Sequence, residues 1–212
     1  MDRKEGEHRM RVGLVDCDSH NFPNLPLMKI SSYHKKLGNI VEFADVGTYY
    51  DVLYVSKIFT ESKEPDLPDY GVMFWGGSGY DLENQLPEEI EHCYPDYSLY
   101  PKLTKDTAYG FLTRGCPRKN HTFCITPGKD GHISRKVADL SEFWDGQKNI
   151  VLLDQNLLAC KERMELLYQL SESKARVDFN GGMDVRFLNE DVIEALRKIR
   201  VKEYHFAWDD PR

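Results

Sequence analysis

The sequence predicts an α/β protein built on parallel strands, arranged as two units joined by an acidic connection. Three observations carry this. Short apolar runs alternate with helical or loop stretches along both halves of the chain, the pattern of strands joined by crossovers. The last two strand starts, Arg176 and Glu203, lie about 27 residues apart, the size of one βα unit. Four strands of the second half end in polar or glycine residues, at the end where such sheets hold ligands.

The elements follow in order. Val12–Asp16 reads as a buried strand. Asn24–Leu37 carries apolar residues at Leu25, Met28, Tyr33 and Leu37 and stops at Gly38, a helical period with a glycine terminator. Ile40–Phe43, Val52–Ser56 and Val72–Trp75 read as three further strands. Residues 1–80 therefore form a small parallel-sheet domain. Residues 81–108 read as a Tyr- and Pro-rich linker. Between Glu61 and Asp96 there are ten acidic residues and one lysine, a composition typical of a solvated connection. Tyr94, Tyr97 and Tyr100 are candidates to pin it to the body. Residues 109–212 then repeat strand and helix. The strands are Tyr109–Thr113, Ile150–Leu153, Arg176–Phe179 and Glu203–Ala207. The helices lie around Asp139–Trp144 and at Lys161–Ser173 and Glu190–Ile199.

Composition narrows the function classes. Hydrophobic residues make up 41% of the 212 and charged residues 30%, which excludes a mainly disordered chain or a collagen-like repeat. The net charge of -7 argues against an overall basic nucleic-acid binder. No apolar run approaches the roughly 20 residues of a membrane helix, and the charged N-terminus does not read as a secretion signal. The expected location is cytoplasmic. Five cysteines without such a signal argue against a disulfide scaffold. Cys17, Cys93 and Cys160 read as packing residues.

Chemistry concentrates in Arg114–Lys136, which reads RGCPRKNHTFCITPGKDGHISRK. Cys116, His121 and Cys124 form a C-x4-H-x2-C spacing. Thiolate and imidazole are ligands that zinc and iron prefer. Gly115 and Pro117 favour a curled loop that could bring the three donors together. Arg114, Arg118, Lys119, Lys129, Arg135 and Lys136 surround them against one acid, Asp130, a positive field that suits an anionic thiolate cluster.

This stretch resembles the cluster loop of the radical S-adenosylmethionine (SAM) superfamily, in particular members with an N-terminal cobalamin-binding-like domain. Their loop reads G-C-P-x-x-C-x-F-C or close to it, with three cysteines holding three irons of a 4Fe-4S cluster. Gly115-Cys116-Pro117-Arg118 matches its start and Phe123-Cys124 its end. Gly131–Lys136 resembles the G-x-x-x-S-R stretch that follows, and Leu152–Asn156 and Asp178–Arg186 resemble strand ends that face SAM. The resemblance implies a small Rossmann-like domain followed by a partial (β/α) barrel of about four units, against six in the family. It implies a 4Fe-4S cluster on Cys116, His121 and Cys124. It implies a SAM pocket lined by Phe123, Asp154, Asn156, Gly181, Gly182, Asp184 and Arg186. The departure is His121, which stands in place of the middle cysteine with one extra residue before it. Histidine can ligate cluster iron and raises its potential.

In the first domain, Asp18-Ser19-His20 begins like the D-x-H motif of cobalamin proteins, and Gly76-Gly77 resembles its later glycines. Cobalamin is thus a further candidate cofactor, with Asp18, His20, Gly76 and Gly77 as its loop. The implied partners are an unknown substrate and an electron donor such as a flavodoxin or ferredoxin, with no membrane, and the acidic balance disfavours nucleic acid. The uncapped strand Glu203–Ala207 predicts self-association through a free sheet edge. Two rival readings remain open. One is a disabled radical SAM-like binding module. The other is a zinc-binding structural protein using Cys116, His121, Cys124 and a remote donor such as Cys160 or His132.

Overall fold

The computed structural model describes residues 9–118 and 123–206. It divides into two compact units, Met1–Tyr100 and Pro101–Arg212. Each is a mixed α/β unit around a four-stranded, all-parallel sheet.

The first unit contains β1 (Arg11–Asp16), α1 (Leu25–Lys36), β2 (Ile40–Phe43), β3 (Tyr50–Ser56), β4 (Tyr70–Gly76) and the single turn α2 (Glu88–Glu91). Its strand order is β2-β1-β3-β4. Helix α1 starts where the sequence places it because the Asn24 side chain accepts from Leu27 N at 3.3 Å, a standard N-cap. Pro26 sits in its first turn and His34, Lys35 and Lys36 in its last, where each suits the local backbone and dipole. Its apolar face buries Leu27 and Ile30 against Val12 and Leu14, and Ile90 of α2 joins them. Tyr50, Leu53 and Val55 form a second cluster. Residues 81–100, read from the sequence as part of a linker, lie inside this unit. Asp96 anchors them on α1, accepting from Ser31 Oγ at 2.6 Å and Lys35 Nζ at 2.5 Å.

The second unit contains β5 (Thr107–Gly110), β6 (Thr113–Arg114), α3 (Thr126–Lys129), β7 (Arg135–Lys136), β8 (Asn149–Leu152), α4 (Arg163–Ser173), β9 (Arg176–Phe179), α5 (Glu190–Arg197) and β10 (Arg200–Val201). The main sheet runs β10-β9-β8-β5, and β6 and β7 form an antiparallel pair beside it. Ile150, Leu152, Val177 and Phe179 of the sheet are buried, as are Leu166, Leu167 and Leu170 of α4 and Val192 and Leu196 of α5. Asn189 caps α5 by accepting from Val192 N at 2.9 Å.

Three elements differ from expectation. The strand expected at Tyr109–Thr113 leaves the sheet after Gly110, because Asp154 takes the amides of Leu112 and Thr113. The helix expected around Asp139–Trp144 is one 3-10 turn, Leu140–Glu142, closed by a capping box between Asp139 and Glu142. The strand expected at Glu203–Ala207 is instead β10, where Val201 pairs with Val177 and Lys202 N reaches Val177 O at 2.7 Å. Residues 203–205 are irregular and Phe206 makes one isolated parallel bridge to Met183. The sheet therefore ends on this side in the short strand β10 rather than in the strand expected at Glu203–Ala207. Ala207 and the tip Trp208-Asp209-Asp210 lie outside them.

Candidate functional site

The polar tips of β5, β8 and β9 converge at the carboxyl end of the second sheet. Asp154, just past β8, is 4% exposed. Its carboxylate accepts from Leu112 N at 3.1 Å and from Thr113 N and Oγ1, both at 2.5 Å. Burial pushes its carboxyl up to about 6, against the opposing pull of those donors. Asp154 therefore holds the entry to the cysteine loop from beneath.

Asn156 is the next tip residue and is 3% exposed. Its Nδ2 donates to Asp184 Oδ2 at 3.1 Å and to Cys116 Sγ at 3.6 Å. Its Oδ1 is buried without a hydrogen-bond partner; among the described residues Arg163 Nε shares that condition. A buried acceptor left unpaired costs about 1–3 kcal/mol. Ser134 Oγ fixes the same residue from its main chain, donating to Asn156 O at 2.8 Å.

Asp184 joins β9 to the cysteine loop. It accepts from Arg186 Nη2 at 2.6 Å and Arg118 Nε at 3.2 Å. Burial would raise its carboxyl, but the donors on Arg186, Arg118 and Asn156 outweigh it and hold it well below the usual carboxylate range. Gly181 lets the β9 tip reach the β8 tip. A Cβ there would collide with the Asp154 carbonyl oxygen, so no other residue permits this approach. Gly182 adopts a φ of +75° and its amide reaches Phe179 O at 2.8 Å.

The fold thus brings together Cys116, Asp154, Asn156, Gly181, Asp184 and Arg186 of the sequence-derived set. Cys124 is half-buried two residues before α3, and Phe123 beside it is 83% exposed. His121 lies outside the described residues, as do Lys119, Asn120 and Thr122. Among the described residues no three His, Cys, Asp or Glu side chains are grouped to hold a metal ion.

Residues outside that set also shape the site. Gln155 Oε1 accepts from Gly115 N at 3.2 Å, while its Nε2 donates to Asp130 Oδ2 at 2.8 Å. Buried Asp130 also pairs with Arg114 at 3.5 Å, and its carbonyl accepts from Arg135 Nη1 at 2.6 Å. Gly131 O accepts from Cys116 N at 3.2 Å. Gln155, Asp130 and Arg135 therefore clamp Gly115 and Cys116 to the segment that follows α3. The signal available in the sequence was Asp130 itself, a lone acid among six bases.

In the first unit, Asp18 uses its carboxylate on the amides of Ile58 (2.7 Å) and Phe59 (2.9 Å). His20 is exposed with a φ of 51°. Gly77 has a φ of +94°, and a Cβ on it would meet the Lys57 carbonyl, whereas a Cβ on Gly76 would enter open space. Asp18 and Gly77 are thus engaged with the 57–59 segment, while His20 is exposed and Gly76 faces open space.

The fold defines the class as a mixed α/β protein with two parallel four-stranded sheets. No helix among the described residues is long and apolar enough to cross a membrane. Compared with known proteins, the chain matches no family model, no curated protein and no solved structure.

Proposed function

We propose that the chain is a radical SAM-type iron–sulfur protein, with its second unit a partial (β/α) barrel that holds the cofactors at its strand tips. The observation that carries this reading is Asn156. It lies at the carboxyl end of a parallel strand, touches Cys116 Sγ and Asp184, and leaves its buried Oδ1 without a partner. An ammonium or hydroxyl group of a bound ligand would supply the missing donor. The methionyl amine and ribose of SAM carry such donors.

The donor chemistry suits the cluster. Cys116 and Cys124 are free thiols on one loop, and His121 is the third ligand of the motif. Bound together, cluster and SAM supply one-electron cleavage of the sulfonium, a source of carbon-radical chemistry. The protein's own work is positional. Asp154 and the Gln155–Asp130 clamp hold the loop, while Arg118 and Arg186 keep Asp184 ionised beside Asn156. The substrate and the electron donor, of flavodoxin or ferredoxin type, belong to the same reading.

The test is anaerobic reconstitution followed by iron and sulfide analysis, on the native chain and on Cys116→Ala, His121→Ala and Asn156→Ala. The expected result is about four irons per native chain, lost in the first two variants. Asn156→Ala should keep its iron and bind SAM about tenfold more weakly. Background iron in the native chain overturns the reading. Stoichiometric zinc in a colourless native preparation overturns it in favour of a structural zinc site.

A further inference from the structure

The strand order β2-β1-β3-β4 reverses direction between β1 and β3. Open parallel sheets bind ligands outside the carboxyl ends of the strands at that point. We infer that the first unit seals this crevice with its own chain, Tyr100 serving as the plug, so that the unit takes no cobalamin and acts as a closed scaffold. The inference rests on the first unit alone and is independent of the reading of the second.

The loops that follow β1 and β3 are bound to each other where a ligand would part them. Cys17 N donates to Ser56 O at 3.0 Å. Asp18 accepts from Ile58 N and Phe59 N, and Asn24 Nδ2 donates to Ser56 Oγ at 2.9 Å. Ser78 Oγ then ties the turn after β4 to Ile58 O at 3.0 Å. The glycines of that turn bring main chain against main chain. A Cβ on Gly79 would lie 2.9 Å from Phe59 O, and one on Gly77 would strike Lys57 O. The space beside Gly77 and Gly79 is thus filled by the 57–59 segment, while Gly76 faces open space.

Tyr100 closes the remaining side. Its hydroxyl donates to Asp16 Oδ2 at 2.6 Å, at the tip of β1. Its ring meets Phe43, at the end of β2, edge to face at 5.4 Å. Burial and the Asp16 carboxylate push its phenol far above the ordinary tyrosine range. The segment leading to it is bolted to α1. Asp96 N donates to Met28 O at 3.0 Å, and the Asp96 carboxylate holds Ser31 and Lys35. Asp16 also accepts from Ser19, through its amide at 3.2 Å and through its hydroxyl. A corrin ring would have to break this set of bonds, at about 1 kcal/mol each.

The experiment is equilibrium dialysis of the native full chain against hydroxocobalamin, with absorbance read on both sides. An alkaline difference titration of the native chain against Tyr100→Phe accompanies it. The expected result is no cobalamin retained, and loss in Tyr100→Phe of a phenol that ionises well above the ordinary value near 10. Stoichiometric retention by the native chain that disappears in His20→Ala overturns the inference. So does a difference spectrum in which the lost phenol ionises in the ordinary range.

Discussion

The two units share an architecture and use its ligand-binding end in opposite ways. Both are parallel four-stranded sheets with polar residues at their carboxyl tips. In the first, the tip residues Asp16, Asp18, Asn24 and Ser56 bind one another, the next loop or Tyr100. In the second, the tips form a comparable network around Asp154 and Asp184, but Asn156 Oδ1 is left without a partner. A satisfied network rigidifies a scaffold, whereas a buried acceptor without a partner costs stability. The two sets of strand tips therefore differ in how completely their hydrogen bonds are satisfied.

Substitutions can break or sharpen this contrast. The largest effect is expected from Asp184→Ala, which removes the buried carboxylate shared by Arg118, Arg186 and Asn156. Removing one partner of a buried ion pair costs about 3–5 kcal/mol. Urea unfolding followed by hydrogen exchange at β8 and β9 amides should show the loss in the second unit, with the first unit unchanged.

Next is the pH response of Asp154. Its folded value of about 6 lies above its unfolded value of 3.8, so folding favours the protonated form. Its stabilising contribution is complete below the unfolded value and is lost as pH rises through the folded one. Stability of the second unit should fall on the order of 2–3 kcal/mol between about pH 4 and 6.5. Asp154→Asn should flatten that slope. Asp184 has the opposite sign: its depressed value makes its contribution vanish as pH drops below the normal carboxylate range.

The smallest effects give the most direct comparison, between two buried asparagines. Asn24 caps α1 and reaches Ser56, so Asn24→Ala should cost about 1–2 kcal/mol. Asn156→Leu loses two donated bonds but also removes the orphan acceptor, and its net effect should stay within about 1 kcal/mol. Thermal unfolding of the two variants measures the difference. A loss at Asn156 as large as that at Asn24 would remove the distinction between scaffold and site.

Local chemistry was legible wherever one residue type settles a conformation. Asn24 and Gly38 delimit α1 in the sequence as in the fold, and Ile40–Phe43 and Arg176–Phe179 form the strands that their apolar runs require. The parallel sheets followed from the alternation of strand and crossover. Cys116, Asp154, Asn156 and Asp184 were singled out by motif and strand-tip position, and the fold brings them close together. What escaped was any feature set by partners distant in sequence. Asp154 turns residues 111–114 out of the sheet across more than forty positions. Asp96 and Tyr100 make an acidic, proline-punctuated segment part of the first unit by reaching α1 and β1. Composition marks such a segment as polar, but only the hydrogen bonds that polarity finds decide whether it links or seals. The same holds for the two tip regions. The sequence determined that each would be polar, and tertiary structure decided that one set of groups would be satisfied internally while Asn156 Oδ1 was not.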